Sequence, residues 1–211
     1  YTNAVLAAGV DAVPFSGRSF YDATLDTSAL LGVLPERVQD IADHDNDGLP
    51  AFIDRYFATA RGTSELPASA MTKWFDTNYH YLVPEIADDT DFALHPEAVL
   101  DDLALARTVA GDRAGVSLRP VIIGPATFLS LAKPAPGSAD PWTRLAELVD
   151  LHAELLPKLA AAGAHNVRNA LASIACALGA GIALHAIVER YAGFAVRHPG
   201  MTQAIVSEIG E

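Results

Sequence analysis

Arg119-Pro120-Val121-Ile122-Ile123-Gly124-Pro125 is the stretch from which the architecture reads most directly. A short β-branched run closed by Gly-Pro has the pattern of a fully buried parallel strand. Downstream, Asp140-Pro141 offers an N-cap followed by proline at the first helical position. Leu145, Leu148, Val149, His152, Leu155, Leu156 and Leu159 then recur at three- and four-residue steps, the spacing of one helix face. Pro157 should bend that helix, and Gly163 stands where a left-handed C-terminal cap belongs. Upstream, Pro96 opens a helix with Val99, Leu100, Leu103 and Ala106 on one side. Pro50 opens another, with Phe52, Ile53, Tyr56 and Phe57 as its stripe and Gly62 as its stop. Residues 22–34 carry Leu25, Ala29, Leu30 and Val33 at helical spacing, after a short strand in Gly9-Val10-Asp11-Ala12-Val13-Pro14. Strands alternating with helices predict an α/β fold with parallel pairing. No internal repeat is visible, and Pro134-Ala135-Pro136-Gly137-Ser138 is too brief for a domain linker.

Composition bounds the function. The chain has 211 residues, 51% hydrophobic and 19% charged, enough apolar surface for a folded core rather than disorder. With Lys+Arg 14 against Asp+Glu 26 the formal net charge is −12, which argues against general binding to nucleic acid or anionic membranes. A single cysteine, Cys176, excludes an intramolecular disulfide and any zinc site needing two cysteines of this chain. Tyr1-Thr2-Asn3-Ala4 shows neither an initiator Met nor a signal peptide, so the sequence reads as part of something longer or trimmed. Residues 170–188 are long enough to span a bilayer, but their Ala and Gly content, with Ser173 and His185, favours a buried helix.

Asp43-His44-Asp45-Asn46-Asp47-Gly48 matches the opening of an EF-hand loop, and Asp54 falls at its twelfth position. Pro50 at the eighth position and Asp in place of a bidentate Glu weaken the match. A polar helix-entry turn explains the same residues. A small calcium-binding module on residues 43–54 is therefore the non-enzymatic alternative.

Met71-Thr72-Lys73-Trp74-Phe75-Asp76-Thr77-Asn78-Tyr79-His80-Tyr81-Leu82-Val83-Pro84-Glu85 does not have the pattern of a generic helix or strand. It crowds aromatic rings together with Lys73, Asn78 and His80, a mixture suited to a ligand wall and equally to an aromatic core edge. This run resembles the hallmark of the N-terminal domain of cobalamin-independent methionine synthase. Ala8-Gly9-Val10-Asp11, Ser19-Phe20-Tyr21-Asp22, Leu25-Asp26-Thr27, Arg55-Tyr56-Phe57 and Pro120-Val121-Ile122-Ile123-Gly124-Pro125 resemble the family in order and spacing, over about residues 5 to 164.

The resemblance implies part of a (β/α)8 TIM-type barrel over residues 1–164, followed by a divergent, Ala-rich, helical tail over residues 165–211. It implies a cytoplasmic methyltransferase of methionine biosynthesis, moving a methyl group from 5-methyltetrahydrofolate polyglutamate to homocysteine. Lys73 takes the position that contacts the folate's polyglutamate tail, with Asp76, Asn78, Tyr79 and His80 as weaker candidates for lining the pocket. No Lys or Arg occurs between Lys73 and Arg107, whereas Glu85, Asp88, Asp89, Asp91, Glu97, Asp101 and Asp102 do. A lone cation beside that acidic run suits a carboxylate tail. No catalytic and no metal-binding residue is assigned here, because in the family zinc and homocysteine are held by a carboxy-terminal barrel. The family's folate-contacting N-terminal segment is likewise absent. His165-Asn166-Val167-Arg168-Asn169 stands where the family has an acidic-proline motif, as a frameshift or a true variant would leave it. The chain alone is accordingly expected to be inactive. Another methyl-transfer or decarboxylase barrel is the alternative within the enzymes.

Overall fold

A computed structural model describes residues 1–15, 19–42 and 52–162. They fall into two compact units. One comprises residues 1–15, 99–126 and 149–162; the other comprises residues 19–98, apart from 43–51, and 127–148.

In the first unit, helix α1 (Thr2–Ala7) precedes strand β1 (Ala12–Pro14), which pairs in parallel with β5 (Ser117–Arg119), Val13 opposite Leu118. Val13 and Leu118 are buried, as are Leu103 and Ala106 of α4 (Glu97–Ala110) and Leu155 and Leu159 of α6 (Leu145–Ala161). His152 of α6 is also buried, with a ring nitrogen 3.1 Å from the carbonyl of Ile123.

The second unit is built around α2 (Ala23–Leu30), α3 (Ile53–Arg61) and an antiparallel hairpin of β2 (Met71–Lys73) and β3 (His80–Leu82). Leu25, Ala29, Tyr56, Ala60 and Leu82 form its core cluster. A second parallel pair joins β4 (Glu85–Ile86) to β6 (Lys133–Pro134), after α5 (Pro125–Leu131). Gly62 ends α3 with φ +71°, and a Cβ there would stand 2.6 Å from the carbonyl oxygen of Leu66. Both conditions restrict the position to glycine.

The α/β expectation holds in its coarse form: two of the three two-stranded sheets are parallel. The described residues contain no closed barrel. Helices expected after Pro96 and over 145–159 form, the second entered by a 3₁₀ turn (Pro141–Arg144) that Asp140 caps through Trp142 N–H at 3.0 Å. All seven apolar-face positions expected in α6 are buried.

Two expectations need correction. The strand expected over 119–125 lies earlier, in β5, and Val121 is 60% exposed. Pro120 has no N–H to donate to a ladder, and among the described residues β5 ends at Arg119, before the β-branched run. The segment 71–85, expected to be neither helix nor strand, contains an ordinary hairpin. Residues 43–51 of the calcium candidate and the whole Ala-rich tail, residues 165–211, lie outside the described residues; of the candidate ligands Asp54 is described, in the first turn of α3. Among the described residues no group of His, Cys, Asp and Glu could hold a metal ion, and no helix is long and apolar enough to cross a membrane.

Candidate functional site

The hairpin carries every candidate residue. Its register sets Lys73 opposite His80, Thr72 opposite Tyr81 and Met71 opposite Leu82. Side chains alternate across a pleated pair, so Lys73 and His80 share one face with Met71 and Leu82, while Thr72 and Tyr81 occupy the other. The six-residue turn closes through Trp74 N–H to the Tyr79 carbonyl at 2.7 Å. Thr77 stiffens it, donating from Oγ1 to the Trp74 carbonyl at 2.6 Å. Phe75 occupies the left-handed region at φ 47°, a costly conformation for an aromatic residue, and is 60% exposed.

The aromatic density is largely a packing device. Trp74 meets Phe75, Tyr79 and Tyr81 edge to face, with ring centroids 5.8, 6.2 and 5.8 Å away. Trp74 also covers a cluster of Tyr81, Val83 and Leu131, and the Tyr81 hydroxyl donates to the Leu131 carbonyl at 2.9 Å. The Tyr81 face of the hairpin is thus fixed, and on the other face Leu82 is buried in the core cluster, so the exposed Lys73 and His80 stand on a rigid base.

Lys73 is exposed and, among the described residues, has no ion-pair partner. His80 is exposed beside it, Nδ1 3.1 Å from the Asn78 carbonyl. Asp76 and Asn78 are exposed in the turn. Tyr79 is half-exposed with its ring against Trp74, and partial burial, then the negative charge of Asp22 at the start of α2, raise its phenol pKa. The register therefore sets Lys73 and His80 opposite each other, while Tyr79 packs on Trp74. The acidic run does not gather at Lys73 either. Glu85 is engaged by Arg37 in a two-point pair at 2.7 and 2.8 Å, and Asp88 accepts the Ala139 N–H at 2.8 Å.

Three features that hold this site were not read from the sequence. Asp22 is buried and accepts N–H groups of Thr24 and Leu25 through Oδ1, at 2.7 and 3.0 Å. Its Oδ2 accepts Leu82 N–H from β3 at 2.9 Å. The capping half has a local signature, Asp directly before the helix; the bond to β3 has none. Tyr56 donates to Asp26 at 2.6 Å from the centre of the core. Arg37 joins Glu85, Ser69 at 2.8 Å and the Pro67 carbonyl at 3.0 Å. That network borders a small cleft lined in part by Ser28, Thr59, Ser69 and Glu85, away from Lys73.

Comparison with known proteins agrees with the hairpin's signature. The family described as "Cobalamin-independent synthase, N-terminal domain" matches residues 1–201. A Corynebacterium efficiens protein named 5-methyltetrahydropteroyltriglutamate–homocysteine methyltransferase is 58% identical over 159 residues, 75% of this chain and 20% of that protein. A Mycobacterium tuberculosis protein of the same name is 50% identical over 166 residues, 79% of this chain and 20% of its own length. The chain spans about a fifth of the length of these relatives. On the family match across nearly its whole length, the chain belongs to the N-terminal domain family of the cobalamin-independent methionine synthases.

Proposed function

We propose that this chain contributes folate-tail binding to methionine synthesis, with Lys73 as the docking point for the polyglutamate carboxylates. The observation that carries the reading is the state of Lys73: exposed, unpaired among the described residues, and mounted on a hairpin whose other face is packed. An ammonium without an internal partner offers its full charge to an incoming carboxylate, and a rigid base lowers the ordering cost of contact. His80, directly across the ladder, is the nearest second donor to such a tail. Asp76 and Asn78 border the same turn and Tyr79 supports it.

In the whole reaction the methyl group leaves N5 of the folate for the homocysteine sulfur. The thiol gives up its proton and N5 gains one. Zinc, held elsewhere in the family, would supply a thiolate at neutral pH. The described residues do not fit that metal: no cluster of ligands is present, and the one cysteine, Cys176, lies outside them. The parallel pairing of β1 with β5 is read as a portion of a (β/α)8 barrel, and the reaction is taken to be cytoplasmic.

Two results test this. Titration calorimetry should show 5-methyltetrahydropteroyltriglutamate binding more tightly than the monoglutamate. Lys73→Gln should lower that preference about tenfold, the scale of one charge-assisted contact; an unchanged preference removes Lys73 from the site. The purified chain should form no methionine from the triglutamate and homocysteine with zinc added, and measurable turnover would contradict the division of labour proposed here.

A further inference from the structure

We infer that Asp22 is the positioning residue that fixes the Lys73 hairpin against α2, and so sets the selectivity for tail length. This inference rests on the tail-binding reading of Lys73. Asp22 is 3% exposed, and each of its carboxylate oxygens serves a different element. Oδ1 caps α2 through Thr24 and Leu25, while Oδ2 takes Leu82 N–H, a residue 60 positions away in sequence. Leu82 lies two residues beyond His80, the register partner of Lys73, and is the last residue of β3. The phenol of Tyr79, at the other end of the hairpin's turn, also lies within the field of Asp22. One buried carboxylate thus ties the Leu82 end of β3 to the first turn of a packed helix.

The two oxygens can be separated chemically. In Asp22→Asn the side chain keeps one carbonyl oxygen and gains an NH₂ group. Two helix N–H groups compete with one strand N–H for that oxygen, so it stays on the helix, where Asn caps as well as Asp. The NH₂ then faces the Leu82 N–H, donor against donor, and only the strand anchor is lost. Asp22→Ser separates them in a second way: serine caps a helix but is too short to reach Leu82 as well.

The test is calorimetric titration of the full chain with 5-methyltetrahydropteroyl mono- and triglutamate, for the parent, Asp22→Asn, Asp22→Ser, Lys73→Gln and the Asp22→Asn/Lys73→Gln pair. A general loosening of the fold weakens both ligands alike and leaves their ratio unchanged; misplacement of Lys73 lowers the ratio. We expect both Asp22 variants to lower the triglutamate preference about three- to tenfold, and the double variant to fall no lower than Lys73→Gln alone. If Lys73→Gln loses the preference while both Asp22 variants keep it, the positioning role is wrong and the tail-binding reading stands. If Lys73→Gln keeps the preference, both are wrong.

Discussion

A Tyr56→Ala chain is expected to unfold about 3–5 kcal/mol more readily than the parent, measured by urea denaturation. Tyr56 is fully buried at the centre of the cluster that holds Leu25, Ala29, Ala60 and Leu82. Its ring meets Phe20, Phe52 and Phe57, with centroids 6.2, 6.0 and 5.5 Å away. Its hydroxyl donates to Asp26 at 2.6 Å and accepts Tyr21 N–H at 3.0 Å. Burial, and then the bond to Asp26, push the phenol's pKa upward, so the hydroxyl remains a donor across the working range. Alanine removes both the ring and the donor. Tyr56→Phe separates the two contributions: it keeps the packing and should cost about 1–2 kcal/mol for the lost hydrogen bonds. Equal losses in both variants would show that packing of the ring contributes little.

The second large effect is expected at Arg37. Arg37→Ala leaves Glu85 without its two-point partner and removes a donor from Ser69, for a loss of about 1–3 kcal/mol. The lower end of the buried-pair range applies because the side chains are 23% and 31% exposed. The pH dependence has a definite sign. The hydrogen bond from Arg37 holds Glu85 below its ordinary pKa, against the opposing pull of burial. A carboxyl depressed in the folded state stabilises above its unfolded pKa, and that contribution disappears as pH falls through the folded value. The parent should therefore lose stability on acidification below about pH 4.5 more steeply than Arg37→Ala. Parallel pH profiles for the two chains would remove the pair from the account.

Local patterns in the sequence identified much of the fold. The face of α6 was legible because Leu148, Leu155 and Leu159 repeat at helical spacing, and each is buried. Gly62 was legible as a stop because its left-handed φ is a local property. The strand 119–125 was misplaced because three residues, Ser117-Leu118-Arg119, are too few to show a period of two, while the conspicuous Val-Ile-Ile run beyond Pro120 pairs with no strand among the described residues. In the hairpin, Trp74 and Phe75 interrupt the alternation of β2 and masked a turn that Asp76, Thr77 and Asn78 otherwise announce. The site was legible unevenly. Lys73 came from resemblance to a family, and its pairing with His80 from the observed register. Asp22 as a tie to β3 and Arg37 as the partner of Glu85 span 60 and 48 positions, and contacts at that separation leave no mark in a local pattern.

The central claim is tested most directly at the ammonium itself. Lys73, Lys133 and Lys158 are the three lysines of the chain. When 5-methyltetrahydropteroyltriglutamate activated with a water-soluble carbodiimide is added to the chain, the tail should form an amide with Lys73, located by peptide mapping and suppressed by excess unactivated triglutamate. Equal labelling of Lys133 and Lys158, or labelling of Lys73 that free triglutamate does not suppress, would contradict the account.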